Sequence, residues 1–97
     1  MKVQELIKLI NENELYSLSD AEDLIYDAAE RVEHAIELDQ HRWYSVATDV
    51  YKCDDGYVGV HGVFQSFSES QTYEDIDLLC EAEEYEEVKT ITYKPKA

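Results

Sequence analysis

Along the first dozen residues, Val3, Leu6, Ile7 and Ile10 recur at i, i+3, i+4 and i+7, with polar residues filling most of the gaps. That period lines one side of a helix, so the spacing predicts a short helix over about 2–11, ended by the polar run Asn11-Glu12-Asn13-Glu14. Leu15, Tyr16 and Leu18 form a connector with apolar anchors. Ser19-Asp20-Ala21-Glu22 then has the form of a capping box, in which the Ser hydroxyl and the Glu carboxylate accept from free backbone N–H groups at a helix start. From there Ala21, Leu24, Ile25, Ala28, Val32, Ala35 and Ile36 keep helical spacing, while Glu22, Asp23, Asp27, Glu30, Glu33 and Glu37 fall on other sides. The pattern predicts a second helix over about 20–38, packed on a sheet by one side and acidic on the rest. Glu37 and Asp39 oppose the negative pole of such a helix, and only His41 and Arg42 lie close enough to offset them.

The period then shortens. From Trp43 to Phe67 two runs rich in Val, Tyr and Thr flank Asp54-Asp55-Gly56, which predicts strands over about 42–53 and 57–67 joined by a tight turn. A two-residue turn on Asp55-Gly56 would pair Asp54 with Tyr57 and mix Val58, Val60 and Phe64 with Ser45, Asp49 and Cys53, a poor core. A three-residue turn closed by Gly56 as a bulge pairs Cys53 with Tyr57 and brings Tyr44, Val46, Thr48, Val50 and Lys52 opposite Ser66, Phe64, Gly62, Val60 and Val58. Since a one-residue slip exchanges the two faces of a strand, the apolar pattern selects the bulged turn. Its other face would set Trp43 across from Phe67 and Asp49 across from His61.

After a polar connector over 66–75, residues 78–93 read as one long bent strand or two short ones divided near Glu86-Glu87, with Pro95 stopping the pairing. The expected fold is α+β, two N-terminal helices packed on a three-stranded antiparallel meander, or a four-stranded one if the last segment divides. Val46, Val50, Val58, Val60 and Phe64 should then be buried against Leu24, Ile25, Ala28 and Val32.

Composition narrows what such a fold does. A chain of 97 residues makes one domain with one modest core, and 44% hydrophobic residues keep it out of the class that stays unfolded. The formal charge of −15 argues against direct binding of nucleic acid or an anionic membrane, both of which depend on Lys and Arg. A charged partner should be a basic protein. No apolar run approaches a signal peptide core or a membrane span, so the expectation is a cytoplasmic protein whose Cys53 and Cys80 are reduced thiols.

The chemistry-bearing residues form no recognised motif. His34, His41, His61, Cys53 and Cys80 lack the paired spacing of a zinc site, and Asp54-Asp55-Gly56 lacks the ligands that would continue a calcium loop. No catalytic residue, metal ligand or cofactor site is assigned, because phosphate loop and nucleophile elbow are both missing. The run from Glu69 to Glu87 contains no Lys or Arg. With Trp43, Tyr51 and Tyr57 turned from the expected core, the partner-binding set is Trp43, Tyr51, Tyr57, Glu81, Glu83, Glu84, Glu86 and Glu87. It suits a non-enzymatic module for a basic protein surface, including one that a nucleic-acid mimic would occupy. The alternatives are an assembly subunit that self-associates through a sheet edge or the Trp43/Phe67 face, and a small enzyme or metal protein.

Asp49-Val50-Tyr51-Lys52-Cys53-Asp54-Asp55-Gly56-Tyr57-Val58-Gly59-Val60, with Ala82-Glu83-Glu84-Tyr85-Glu86-Glu87-Val88 and Thr92-Tyr93-Lys94-Pro95, resembles small uncharacterised acidic proteins of Bacteroides-type gut bacteria and their mobile elements. The resemblance covers roughly the C-terminal half. It implies a bacterial or phage cytoplasmic protein and brings no functional residues with it.

Overall fold

A computed structural model describes residues 1–67, 78–88 and 92–96. Two helices, α1 (Val3–Glu12) and α2 (Leu18–Ile25), precede five strands, β1 (Glu30–Gln40), β2 (Tyr44–Cys53), β3 (Gly56–Ser66), β4 (Glu81–Val88) and β5 (Thr92–Pro95). The strands form one antiparallel sheet in sequential order. The fold is therefore α+β with N-terminal helices, as the pattern predicts, but with five strands among the described residues in place of three or four. Most of the polar connector, from residue 68 onward, and residues 89–91 of the last predicted strand lie outside the described residues.

Helix α1 follows its stripe closely, with Val3, Leu6 and Ile10 buried. Its N-cap Lys2 offers no side-chain acceptor, and the Asp55 carboxylate from the β2–β3 turn accepts from the Val3 N–H at 2.8 Å instead. The turn thus caps the helix with a negative charge at its positive pole. Helix α2 starts at Ser17 and not at Ser19: the Ser17 hydroxyl accepts from the Asp20 N–H at 3.1 Å. That start places Leu18, Ala21 and Ile25 in one buried stripe.

The larger correction is that helix 20–38 does not exist. Helix α2 ends at Ile25 and residues 30–40 form β1. Continued as a helix, the segment would stack Asp23/Asp27, Asp27/Glu30, Glu30/Glu33 and Glu33/Glu37 at like-charge spacings, each costing a few tenths of a kcal/mol. As a strand it extends the sheet. The pairing Glu33↔Val50, Ile36↔Thr48 and Asp39↔Val46 runs three residues of β1 against two of β2, with register shifts between successive pairs. Residues on one face therefore recur every three positions, close enough to the helical period to imitate it. Ala35 and Glu37, both at φ 54°, take up part of this coiling in the left-handed region.

The β2–β3 turn is also corrected. Cys53 pairs with Gly56, Tyr51 with Val58, Asp49 with Val60 and Ala47 with Gly62, so the loop is Asp54-Asp55 and Gly56 opens β3. The extra residue expected at Gly56 occurs instead at Phe64, between the pairs Val46↔Val63 and Ser45↔Gln65. Beyond it the predicted pairing Tyr44↔Ser66 holds, and the Phe67 N–H donates to the Trp43 carbonyl at 2.8 Å. Before it, β2 is turned over relative to expectation.

The helices consequently cover Ala47, Tyr51 and Cys53 with Val58 and Val60, and α1 and α2 supply Val3, Leu6, Ile10, Leu18, Ala21 and Ile25 to that core. Leu24 is exposed, while Ala28 and Val32 lie beyond the helix and are only partly buried. On the far face Val50 and Val63 are fully buried, Val46 is half-buried, and Thr48 and Tyr85 are almost closed to solvent.

Tyr85 reaches across β3 over Gly59. A Cβ at Gly59 would sit 2.6 Å from Tyr85 Cδ1, an approach that only glycine permits. Gly59→Ala should therefore lower stability by about 1–3 kcal/mol in urea unfolding. Tyr85→Leu in the same background should recover part of the loss, and a Gly59→Ala variant as stable as the parent would show that the ring does not seat there.

Candidate functional site

Register sorts the expected partner-binding residues between the two faces of the sheet. On β4, Glu81, Glu83 and Tyr85 stand opposite His61, Gly59 and Tyr57 on the far face, and Glu87 reaches the same side. Glu84 stands opposite Val58 on the helix-bearing face, where Lys96 meets it at 3.2 Å. Glu86 pairs in register with Lys94, whose ammonium is 3.3 Å from its carboxylate. The Tyr57 hydroxyl donates to Glu87 at 3.0 Å, which raises its pKa, and its ring lies 4.8 Å from that of Tyr93. Trp43 is half-exposed beside Phe67 at the far end of the β2–β3 pair, with the Arg42 guanidinium 4.8 Å from its ring. Tyr51 does not belong with them. It is 2% exposed beneath α2, a consequence of the inverted β2 face.

Nor do Asp49 and His61 meet across the hairpin. Asp49 is on the helix-bearing face and 1% exposed. Its Oδ1 accepts from the Ala35 N–H at 2.8 Å and lies 2.8 Å from His34 Nδ1, while Arg31 Nη1 is 3.9 Å from Oδ2. Arg31 also reaches Glu22 at 2.9 Å and so ties β1 to α2. His34 and Arg31 had no signal as a pair in the sequence. The available clue was Asp49 itself, a carboxylate in the middle of an apolar strand, which is stable only where charge and hydrogen bonds are brought to it.

His61 has partners on the other face. Its Nδ1 is 2.6 Å from the Thr48 hydroxyl and its Nε2 2.9 Å from Glu83. The neutral tautomer with its proton on Nε2 donates to Glu83 and accepts from Thr48. The Tyr85 hydroxyl lies 3.4 Å from Nε2 and donates to Glu37 at 3.3 Å, and burial pushes its pKa up to about 12. Thr48, His61 and Glu83 have the order of a nucleophile, a base and an orienting carboxylate. Thr48 is only 2% exposed, however, so its hydroxyl is closed to a substrate and serves to orient the imidazole.

Cys53 and Cys80 are free and buried. The Cys80 thiol donates to the Ser17 carbonyl at 3.3 Å, and burial pushes its pKa up to about 12. Among the described residues no group of three or more His, Cys, Asp and Glu is placed to hold a metal ion. Among the described residues no helix is long and apolar enough to cross a membrane. Compared with known proteins, the chain matches no family model, no curated protein and no solved structure.

Two expectations follow. Asp49→Ala leaves the Ala35 N–H and the His34 ring without their acceptor, while Arg31 keeps Glu22, and should cost about 1–3 kcal/mol in urea unfolding. Asp49→Asn keeps an acceptor for that N–H and should cost less; equal loss in both variants would remove the backbone contact from the account. For Cys80, the folded pKa lies above the ordinary thiol value of 9.0. Stability is then full below about pH 9 and falls as pH rises toward about 12, because the unfolded thiol ionises first. Urea midpoints measured over this range should fall more steeply for the parent than for Cys80→Ala.

Proposed function

We propose that this protein is a non-enzymatic interaction module that binds a basic protein segment on the far face of β3, β4 and β5. The observation that carries the reading is charge segregation across the sheet. Glu81, Glu83 and Glu87 share the far face with the Tyr57/Tyr93 pair, while Lys94 and Lys96 are engaged with Glu86 and Glu84. Lys52, opposite Tyr57, is the cation at the margin of this face. Alternate residues of a strand lie about 7 Å apart, so Glu81 and Glu83 would meet successive cations of an extended basic segment. The row is a single strip among the described residues and lacks the second backbone of a duplex, which supports a basic peptide strand over nucleic-acid mimicry. A bacterial cytoplasmic setting, implied by the sequence resemblance, belongs to the same proposal.

Trp43 and Phe67 favour a second reading, assembly through an aromatic patch, because both are nearly half-exposed and lie side by side. The sheet edges support it less. Strand β1 is interrupted by repeated register shifts and β5 is four residues long and ends at Pro95, features that resist edge pairing.

The test is peptide display against the immobilised protein, followed by kinetics with the recovered sequences. Lys- and Arg-rich peptides that elute with salt are expected. Glu81, Glu83 and Glu87 changed together to Gln should slow association about tenfold at low salt. Recovery of apolar peptides indifferent to salt, or unchanged rates in the Gln variant, would sink the reading.

A further inference from the structure

We infer that the cleft between the end of α2 and the start of β1 binds an organic cation, an alkylammonium or alkylguanidinium group. The cleft has a volume of about 240 Å³ and is lined by Glu22, Tyr26, Ala29, Glu30, Arg31 and Tyr51. It suits one extended amine or a single basic side chain and is smaller than a drug-sized pocket.

Its wall contains a buried group without a partner. Tyr51 is 2% exposed, and its hydroxyl makes no hydrogen bond among the described residues. Close by, Asp49 Oδ2 is likewise buried without a hydrogen bond. Arg31 Nη1 lies 2.9 Å from Glu22 Oε2 but is not aligned to donate to it. Arg31 is ion-paired, so the unpartnered atoms are the Tyr51 hydroxyl in the wall and Asp49 Oδ2 next to Arg31; buried polar atoms are ordinarily satisfied, and these mark a place where something binds.

Charge selects the occupant. On the face shared by Arg31 and Tyr51, Glu22 and Asp49 outnumber Arg31, while Glu30 pairs in register with Lys52, so the local field repels phosphate and carboxylate and attracts a cation. The N–H groups of an ammonium or guanidinium have acceptors in the carboxylates and in the Tyr51 oxygen. Burial raises the Tyr51 pKa, so the hydroxyl stays neutral and keeps a lone pair for this purpose. At the mouth Tyr26 is 78% exposed, and its ring offers a π-face to the cation. The cleft is on the helix-bearing side of the sheet, apart from the far-face row, and the inference does not depend on that row.

The experiment is an amide NMR titration of the full chain with putrescine and agmatine in one arm and acetylated Lys and Arg amides in the other. Butanol serves as the neutral control. Saturable shifts are expected at residues 26, 29, 30, 31 and 51 with the cations and not with butanol. Saturation by the diamine or agmatine alone identifies a free amine as ligand, and saturation by the amino-acid amides alone identifies a partner's side chain. Tyr26→Ala, at an exposed position, should weaken binding about 2–5-fold. Tyr51→Phe should abolish the saturable shifts while leaving the unliganded melting temperature equal or higher. Glu81, Glu83 and Glu87 changed to Gln should not affect them. Non-saturable shifts spread over all carboxylates would overturn the inference. So would a Tyr51→Phe variant that melts lower with no cation bound to the parent, since an ordered water would then satisfy these groups.

Discussion

The fold turns on Asp49. A carboxylate in the middle of a central strand, 1% exposed, must be met by donors or expelled from the core. Here the donors come from β1: the Ala35 N–H and the His34 ring bind one oxygen, with the Arg31 guanidinium near the other. Ala35 can present its N–H because the chain passes through the left-handed region at that residue. The cost of that conformation, of order 1 kcal/mol or more for a residue with a side chain, is offset by removing a far larger desolvation penalty. Once β1 is fixed in this way, Arg31 reaches Glu22 and holds α2 against the sheet.

The same residue explains why the hairpin is hard to read. Sorted by hydrophobicity, the β2 face with Ser45, Asp49 and Cys53 looks inferior to the face with Val46, Val50 and Thr48, and the bulged turn at Gly56 follows from choosing the latter. The chain instead buries the mixed face under its helices and closes the valines on the other. Hydrophobic bookkeeping within a hairpin cannot see that Asp49 will be neutralised by residues 14 to 18 positions earlier. The element at fault is the nonlocal ion pair, which has no local pattern.

What was legible was local. The α1 stripe, the two-stranded character of residues 43–67 and the strand at 81–88 follow from short-range periodicity, whereas the Tyr44↔Ser66 pair holds only because the extra residue at Phe64 makes up for the one expected at Gly56. Strand β1 was not legible, because bulges every third residue give it nearly the period of a helix. Its like-charge spacings were the counter-signal: Asp27, Glu30, Glu33 and Glu37 suit an exposed coiled strand better than a helix whose last turns would hold no compensating cation apart from Arg31. The candidate surface was half legible for a related reason. Strand parity assigns Glu81, Glu83 and Glu87 to one side and Glu84 and Glu86 to the other, but which side bears the helices is fixed only by the pairing with β3.

Total charge is a poor measure of the surface available to a partner. Several of the carboxylates are already committed to structure: Asp49 to β1, Asp55 to the first N–H of α1, Glu22 to Arg31, and Glu84 and Glu86 to lysines of the last strand and its end. Each substitutes for something the sequence lacks, such as a capping side chain at Lys2 or a polar partner for an arginine near the core. The far-face row differs in kind. Glu83 and Glu87 contact neutral or titratable partners, His61 and Tyr57, which orient carboxylates without cancelling them when the imidazole is neutral. A negative charge that is held in place and left uncancelled is the arrangement that attracts a cation from solution, and this property, more than the count of acidic residues, separates Glu83 and Glu87 from their strand neighbours Glu84 and Glu86, which face lysines.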